Sequence, residues 1–337
     1  MAAMARVAVN GFGRIGRCFF RAAHGNKDIE IVAVNDLTPL ENLAYLLKYD
    51  TVYGKFAGEV TVSGGQLIVD GKNVAVLAEK DPVNLPWQNL RIDVVVESTG
   101  LFTDAEKAKG HITAGAKKVV ISAPAKGEGA ETILIGANEG KFGTCNVSSN
   151  ASCTTNAASP LIGILDEAIG IERALLSTTH AYTASQSLVD GGKAKDLRES
   201  RAAAHNIVPS STGAAKATAL AYPALKGKFD GISLRVPVIA GSIVDVTFVA
   251  KRPTSAEEVN QILTKAAGSD RWKRIFAVSE EPLVSSDILG TPYGAIADLA
   301  MTRVVDGTLV KVLAWYDNEM GYAYTLVEHV REVAKRL

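Results

Sequence analysis

Residues 6–17 read RVAVNGFGRIGR, and this stretch decides the fold. Residues 6–10 form a short apolar run that predicts a buried strand. A G-x-G-x-x-G motif follows at positions 11–16, a helical pattern continues to Ala23, and residues 30–35 predict a second strand. Strand, glycines, helix and strand in this order are the context that a dinucleotide-binding motif requires. The first half of the chain is therefore expected to adopt a Rossmann fold.

Each glycine of the motif has a separate physical task. Gly11 permits the tight turn, Gly13 lets a pyrophosphate approach the backbone, and Gly16 allows close packing of helix on strand. The amino terminus of the helix then offers unpaired N–H groups to phosphates. Asp36 lies 36 − 16 = 20 residues beyond the last glycine, where a carboxylate accepts hydrogen bonds from ribose hydroxyls. It would repel a 2′-phosphate, so NAD is favoured over NADP.

Strands alternate with helices as far as about residue 150. The runs 93–97 and 117–121 predict two further strands, and Thr103 is expected to cap the helix between them. Three polar residues follow the carboxyl ends of these strands: Ser98, Thr99 and Ser122. Ligands of open α/β sheets bind at such ends, which makes the three residues candidate cofactor neighbours. The alternative, ordinary polar residues in turns, is equally compatible with the local sequence.

The pattern changes near residue 150 to longer strands, which are predicted at 232–238, 242–249 and 309–315. We expect an α+β domain with a mostly antiparallel sheet. The predicted boundaries are an NAD-binding domain at 1–152 and a catalytic domain at 153–318. A last helix at 319–337 should pack back on the first domain.

Two helices of this second half carry specific expectations. Apolar residues at helical spacing predict a helix over 157–169, in which Pro160 should mark the first turn or a kink. In the last helix one face is apolar and is expected to pack: Leu326, Val330, Val333 and Leu337. His329 and the terminal charges are expected to face solvent.

Cys153 is the candidate nucleophile. Residues 149–156 read SNASCTTN, a run of small hydroxyl and amide side chains, whereas a structural cysteine wants apolar neighbours. The predicted start of a helix here would favour a thiolate. His180 lies 180 − 153 = 27 residues further on, at the end of an apolar run, and is a possible base. Cys18 and Cys145 lack hydroxyl-rich surroundings and are expected to be structural thiols.

Composition limits the classes of function. The 337 residues suggest two domains, and 36 basic residues balance 36 acidic ones, which argues against nucleic-acid binding as the main function. Three cysteines without metal-ligand or pairing spacing fit a reducing compartment and no metal site. We find no apolar run of about 20 residues and no room for a secretory leader before residue 6. The expectation is a soluble cytoplasmic protein without a membrane partner.

Residues 184–206 show no sustained period and include a mixed-charge stretch from Lys193 to Arg201. A loop of this length inside a compact domain is unusual and tends to be functional.

Four motifs in order carry a resemblance to a known family: residues 10–17 (NGFGRIGR), 151–156 (ASCTTN), 180–183 (HAYT) and 315–319 (WYDNE). Over essentially its whole length the chain resembles the phosphorylating glyceraldehyde-3-phosphate dehydrogenases. The resemblance implies that Cys153 attacks the aldehyde of glyceraldehyde 3-phosphate, that His180 acts as base, and that inorganic phosphate releases the product. It also implies a homotetramer in which the 184–206 loop reaches toward a neighbouring cofactor.

The resemblance further implies binding roles. Arg14 and Ile15 would lie at the pyrophosphate, Asp36 at the ribose, Lys80 and Ser122 elsewhere in the cofactor pocket, and Asn318 at the nicotinamide amide. The implied phosphate ligands are Ser152, Thr154, Thr183, Thr212, Gly213 and Arg235. From local sequence alone, capping of the following helix explains Thr212 and Gly213 at least as well.

Two other functions remain open at this stage. Dehydrogenases of erythrose 4-phosphate resemble the chain around the cysteine, although Tyr182 and Thr183 argue for the triose. A redox-sensing protein on a Rossmann scaffold would use Cys153 as a peroxide-reactive thiol.

Overall fold

The computed structural model describes residues 4–192 and 196–337, which form two compact units. The first unit comprises the chain up to Ile133, Asn138–Ala151 and Leu326–Leu337; the second comprises Leu134–Ala137 and Ser152–Thr325. Residues 1–3 lie outside the described residues, as do residues 193–195 of the predicted 184–206 loop.

The first unit is built on a nine-stranded sheet. Its strands and those of a small hairpin are β1 (Ala5–Asn10), β2 (Ile29–Asn35), β3 (Tyr49–Asp50), β4 (Gly54–Lys55), β5 (Val60–Ser63), β6 (Gln66–Val69), β7 (Lys72–Leu77), β8 (Val94–Glu97), β9 (Lys118–Ile121), β10 (Glu131–Thr132) and β11 (Val147–Ser149). Its helices are α1 (Arg14–Ala23), α2 (Leu40–Lys48), α3 (Ala105–Ala108) and α4 (Gly110–Thr113).

The sheet order is β10-β11-β9-β8-β1-β2-β7-β6-β5, with β3 and β4 paired separately. All neighbours from β10 to β7 run parallel, and β7, β6 and β5 form an antiparallel edge. The chain proceeds from β1 toward β2 on one side and later from β8 toward β9 on the other. The crevice outside the carboxyl ends of β1 and β8 is thus a topological switch point, where open α/β sheets bind ligands.

The second unit contains a seven-stranded sheet. Its strands are β12 (Ile171–Ala181), β13 (Val208–Ser211), β14 (Phe229–Val236), β15 (Ser242–Ala250), β16 (Phe276–Ser279), β17 (Ala295–Val305) and β18 (Leu309–Tyr316). The order is β13-β14-β12-β15-β18-β17-β16, in which β12/β14 and β16/β17 are parallel and the other pairs antiparallel. Both parts of the predicted fold class are confirmed.

The helices of this half are α5 (Cys153–Ile169), α6 (Ala214–Ala221), α7 (Ala256–Ala267) and α8 (Met320–Ala334), the last of which continues into residues of the first unit. Strict alternation along β15 buries Val244, Val246 and Phe248 and leaves the residues between them half-buried. One face of the sheet is therefore packed, as is usual for antiparallel sheets. No helix within the described ranges is long and apolar enough to cross a membrane.

Helix α5 begins at Cys153, where a helix start was expected, and therefore includes four residues before the apolar run 157–169. Ser152 makes this possible, because its Oγ accepts the backbone N–H of Thr155 at 3.1 Å and caps the helix. Pro160 consequently lies in the helix interior and not in its first turn. The predicted cap of the helix after β8 is wrong: Asp104, not Thr103, accepts the first free N–H groups of α3.

The predicted exposure of His329 is wrong. Its side chain is fully buried, with Nε2 2.8 Å from Ser148 Oγ and Nδ1 3.2 Å from Asn150 Oδ1. Helix periodicity does not reveal this, because both partners come from the strand β11 and the residue following it. Leu326, Val330 and Val333 are buried as expected, but Leu337 is 48% exposed.

Burial lowers the pKa of His329 to about 3, which makes stability depend on pH. An unfolded histidine titrates near 6.5, so between these values the unfolded chain binds the extra proton and the free energy of unfolding falls as pH falls. The slope from one such group is up to about 1.4 kcal/mol per pH unit. We predict that His329→Gln flattens this slope in urea titrations at pH 7, 6 and 5. His205→Gln, at an exposed position, should leave it unchanged; equal slopes for all three proteins would contradict the assignment.

Candidate active site

A cavity of about 450 Å³ lies in the first unit where β1, β2, β7 and β8 end. Its lining includes six residues predicted to bind the cofactor: Gly11, Gly13, Asp36, Lys80, Ser98 and Thr99. Asn10, Asn35 and Glu79 complete the polar part of the wall. Because the strands are parallel, all of these residues lie at one edge of the sheet. A position directly after a predicted strand was therefore a useful signal for a cofactor-binding residue.

The glycines at this edge are required by close approach. Gly11 has φ +90°, and a Cβ on it would lie 2.6 Å from the backbone N of Thr99. A Cβ on Gly16 would lie 2.2 Å from the carbonyl oxygen of Gly11. By contrast, the space beside Gly13 is open among the described residues, and no described side chain caps α1. This leaves room for a pyrophosphate at the amino end of the helix.

Asp36 is held in place by the glycine turn. Its Oδ2 accepts the backbone N–H of Phe12 at 2.7 Å, and its Oδ1 accepts that of Thr38 at 2.9 Å. The carboxylate therefore faces the cavity in a fixed orientation and retains lone pairs for further donors. These features fit the dinucleotide that the motif predicts: a carboxylate for ribose hydroxyls and an uncapped helix for phosphates.

The other predicted cofactor residues do not line this cavity. Arg14 forms an ion pair with Asp50, and its guanidinium lies over the ring of Tyr53. Gly16 is buried behind the turn, while Ile15 and Ser122 are half-buried. Asn318 belongs to the second unit. No cluster of His, Cys, Asp and Glu suited to a metal ion occurs within residues 4–192 and 196–337.

In the second unit Cys153 and His180 are in contact. Cys153 is the first residue of α5, and His180 is the penultimate residue of β12. The distance from Sγ to the imidazole Nε2 is 3.3 Å. Sulfur at the amino end of a helix and next to an imidazole is the arrangement of an activated thiol.

The far side of the imidazole has two partners. Nδ1 lies 2.6 Å from the carbonyl oxygen of Ala181 and 2.7 Å from Nη1 of Arg235. A guanidinium only donates, so its bond to Nδ1 puts the ring proton on Nε2, facing the sulfur. A bond from Nδ1–H to Ala181 instead leaves Nε2 as an acceptor. Arg235 therefore determines which role Nε2 plays.

Burial and charge oppose each other at the pair. Burial raises the pKa of the Cys153 thiol, while the positive charge of Arg235 acts to lower it. Burial, assisted by Arg235, lowers the pKa of His180 to about 4. In the ligand-free chain at neutral pH the imidazole is thus neutral. At this half-buried thiol desolvation is the largest influence on the pKa and raises it.

The predicted phosphate ligands fall into two groups. Arg235 is the strongest candidate, because its Nε is buried and has no hydrogen-bond partner among the described residues. Thr183 is half-exposed, with its hydroxyl 3.0 Å from that of Ser185.

The hydroxyls of the second group already serve the protein. Ser152 caps α5, Thr154 Oγ1 lies 2.9 Å from the Tyr316 hydroxyl, and Thr212 Oγ1 accepts the N–H of Ala214. Gly213 is the residue that precedes helix α6. The Thr212 hydroxyl thus contacts the first turn of α6 and still has its own proton to donate, whereas Gly213 makes no side-chain cap.

Two supporting residues were missed from sequence. Tyr316 is buried, its hydroxyl joins Thr154 (2.9 Å) to Thr178 (2.6 Å), and its ring packs edge-on against His180. Ser242 Oγ accepts the backbone N–H of Ala181 at 3.1 Å and donates to Asn318 Oδ1 at 3.0 Å. Tyr316 lies inside a quoted motif and could have been found; Ser242 opens a strand and has no sequence signal.

Comparison with known proteins gives consistent matches. The family model described as glyceraldehyde 3-phosphate dehydrogenase, NAD binding domain, matches residues 5–105, and that of the C-terminal domain matches residues 152–318. Glyceraldehyde-3-phosphate dehydrogenase of Mycobacterium avium is 52% identical over 98% of this chain and 99% of its own. The enzyme of that name from Geobacillus stearothermophilus is 50% identical over 98% of both chains. Glyceraldehyde-3-phosphate dehydrogenase 2 of Streptomyces avermitilis is 51% identical over 96% of both.

The charge of Arg235 is open to a direct test. Because it lowers the pKa of the Cys153 thiol, Arg235→Gln should move the pH profile of iodoacetamide alkylation at Cys153 to higher pH and slow the reaction at pH 7. At high pH, where both thiols are ionised, the rates should converge. Arg173→Gln removes an exposed arginine from β12 and serves as the control. A profile unchanged in Arg235→Gln would exclude the electrostatic role.

Proposed function

The chain belongs to the glyceraldehyde-3-phosphate dehydrogenase family, and we propose that Cys153 and His180 are its catalytic pair in the NAD-dependent oxidative phosphorylation of D-glyceraldehyde 3-phosphate. The observation that carries this assignment is the 3.3 Å contact between Sγ and Nε2 at the amino end of α5. The names of the curated relatives favour the triose over erythrose 4-phosphate and over a redox sensor. The assay is NADH absorbance with the aldehyde, with and without inorganic phosphate.

The reaction begins with addition of the Cys153 sulfur to the aldehyde carbon. The thiol proton is released to solvent, the Nε2–H that faces the sulfur stabilises the thiolate, and the thiolate forms a C–S bond whose alkoxide oxygen takes up a proton from water to give a hemithioacetal. The ring then exchanges protons with solvent, losing the one on Nε2 and gaining one on Nδ1 that it donates to Ala181. In this tautomer Nε2 removes the proton of the new hydroxyl. NAD, when bound, accepts the hydride that leaves this carbon. The product on the sulfur is a thioester, and attack by inorganic phosphate breaks the C–S bond and releases an acyl phosphate.

Arg235 would bind a phosphate group in this scheme, since its Nε has no other partner among the described residues. Ser152, Thr154, Thr183, Thr212 and Gly213 are the further proposed phosphate ligands, of which Gly213 can contribute only its backbone. In the cofactor site we assign Asp36 to the ribose, Gly11, Gly13, Arg14, Ile15 and Gly16 to the pyrophosphate region, and Lys80, Ser98, Thr99 and Ser122 to the remaining wall. Asn318 would orient the nicotinamide amide.

Asn318 is well suited to that task. Its Oδ1 accepts the backbone N–H of Gly241 and the hydroxyl of Ser242, both at 3.0 Å. The amide is therefore fixed with its NH₂ group directed away from these donors. The functional domains we propose are residues 1–152 with the helix 319–337 and residues 153–318. A cytoplasmic location is proposed because the three cysteines, all in described residues, form no disulfide.

We also propose that the chain forms a homotetramer, in which the 184–206 loop reaches a neighbouring cofactor. The support is a pair of large apolar residues exposed on the second sheet, Leu175 at 67% and Ile232 at 54%. The two residues lie on the neighbouring strands β12 and β14 and line one shallow depression with Thr247 and Lys311. Large exposed apolar residues grouped in this way mark interaction surfaces.

The catalytic pair predicts a graded loss of activity. His180→Asn should reduce NADH formation by about two to four orders of magnitude, the usual contribution of a positioned acid–base group. Cys153→Ser should abolish phosphate-dependent oxidation, and the double variant should be little worse than Cys153→Ser alone. Cys145→Ser is the matched control and should keep its activity. Near-normal turnover in His180→Asn would contradict the pairing.

The proposed oligomer predicts a size change. Leu175→Lys should break the contact between copies, since a lysine in an apolar interface must be desolvated, and lower the molar mass measured by light scattering after gel filtration. Val83→Lys changes a valine that is 47% exposed on the first unit and should leave the mass as it was. A tetramer persisting in Leu175→Lys would place the interface elsewhere.

A further inference from the structure

Three buried side chains in the first unit have no task in the proposed chemistry. Glu97, the last residue of β8, is 2% exposed, and His111 and Trp87 are fully buried. Charged groups are seldom buried to this degree unless their partners are fixed. The three are linked by hydrogen bonds: Trp87 Nε1 to His111 Nδ1 at 2.9 Å, and His111 Nε2 to Glu97 Oε2 at 3.0 Å.

The direction of each bond follows from chemistry. An indole N–H only donates, so Nδ1 of His111 must accept. The ring proton is then on Nε2 and points at the carboxyl group of Glu97. Trp87 thus fixes the tautomer, and His111 presents one N–H to Oε2.

Glu97 receives four donors in total. Oε2 also accepts from Asn10 Nδ2 at 2.6 Å, and Oε1 accepts the backbone N–H of Thr99 at 2.8 Å and the Thr99 hydroxyl. The same hydroxyl accepts the N–H of Leu101 at 3.0 Å and has its own proton available for Oε1. A carboxylate offers about four acceptor sites, and four donors face them here.

The donors on Glu97 lead directly to the cofactor cavity. Asn10 pairs in register with Asn35 on one side and with Glu97 on the other. Asn10 Oδ1 accepts from Asn35 Nδ2 at 2.7 Å, and Asn35 Oδ1 accepts the backbone N–H of Glu79 at 2.8 Å. Four members of this network line the cavity: Asn10, Asn35, Glu79 and Thr99. Glu97, His111 and Trp87 lie behind them and do not line it.

The Thr99 amide is the most sensitive point. The amide nitrogen of Thr99 packs closely on Gly11, since a Cβ on Gly11 would lie 2.6 Å from it. The hydrogen bond from this amide to Glu97 Oε1 holds it in this position. Ser98 adds a second contact to the glycine turn, since its Oγ donates a hydrogen bond to the carbonyl oxygen of Gly11 at 2.6 Å. A small displacement of Thr99 would therefore alter the turn that receives the pyrophosphate.

We propose that Glu97, oriented by His111 and Trp87, is a positioning residue for the dinucleotide: a buried carboxylate that fixes the wall of the cavity without touching the ligand. The inference rests on the proposed function in taking this cavity as the NAD site. The carboxylate is needed rather than an amide. A glutamine would turn an NH₂ group toward one pair of these donors, either Asn10 and His111 or the two groups of Thr99.

The test is the affinity for NAD of Glu97→Gln, measured by calorimetry without substrate. We expect the dissociation constant to rise by about tenfold to a hundredfold, the worth of a hydrogen bond to a charged group. Turnover at saturating NAD and the alkylation rate of Cys153 without NAD should stay within about threefold of the parent. A merely structural residue would lower the melting temperature and leave the affinity unchanged.

A second pair of variants covers the case in which Glu97→Gln does not fold. His111→Gln keeps an N–H near the Nε2 position and should bind NAD nearly as the parent does, whereas His111→Leu removes the donor and should weaken binding about tenfold. The control is His329→Gln, which alters an equally buried histidine of the same unit outside the cavity and should not change NAD affinity.

The proposal is overturned if Glu97→Gln and His111→Leu bind NAD within twofold of the parent, or if His329→Gln weakens binding as much as they do. Failure of the proposed function looks different. In that case the parent chain would bind NAD but form no NADH from glyceraldehyde 3-phosphate and phosphate, while the affinities of the variants would still decide the role of Glu97.

Discussion

The parallel pairing of β8, β1 and β2 is the constraint on which the cofactor site depends. Register places Asn10 beside Asn35 and Glu97, so three polar side chains meet at the last position of three adjacent strands. A buried edge of this kind is stable only if each polar atom finds a partner. The hydrogen bonds among the three side chains meet that condition. The glycine turn after β1 can therefore pack directly on the residues that follow β8, because the ends of these strands are fixed.

Much of this arrangement could be predicted from sequence, for identifiable reasons. The glycine motif, Asp36 and the polar residues after strands are local signals whose position in a parallel sheet is dictated by topology. Cys153 and His180 were recognisable because small polar neighbours and a strand end are also local. Membership of the family and the NAD-binding domain are confirmed by the matches described above.

What sequence could not supply are contacts between residues far apart in the chain. His329 looked like a solvent-facing position on an amphipathic helix, but Ser148 and Asn150, about 180 residues earlier, bury it. The apolar run of α5 begins only at residue 157, and the cap by Ser152 starts the helix four residues earlier, so that Pro160 lies in its interior. The influence of burial on the pKa of Cys153 is a further property that depends on distant residues. Helix position favours the thiolate, but the degree of burial, which opposes it, is a property of the folded chain.

His111 near the cofactor cavity and His180 beside Cys153 have the same kind of hydrogen-bond partner at Nδ1. Each imidazole has, at Nδ1, a partner that can only donate: the indole of Trp87 for His111 and the guanidinium of Arg235 for His180. Each Nε2–H is therefore directed at an acceptor, the carboxylate of Glu97 or the sulfur of Cys153. The difference lies in the permanence of the donor. Trp87 is fully buried and holds one tautomer, as suits a residue that shapes a wall. Arg235 keeps a buried N–H without a partner among the described residues and also contacts the carbonyl oxygen of Ala181, so His180 is one of two hydrogen-bond partners within its reach. A fixed donor at Nδ1 suits a positioning role. In the proposed reaction Nε2 has to accept a proton, which requires the ring proton to be on Nδ1 and donated to Ala181, and a donor that can leave Nδ1 is compatible with this exchange.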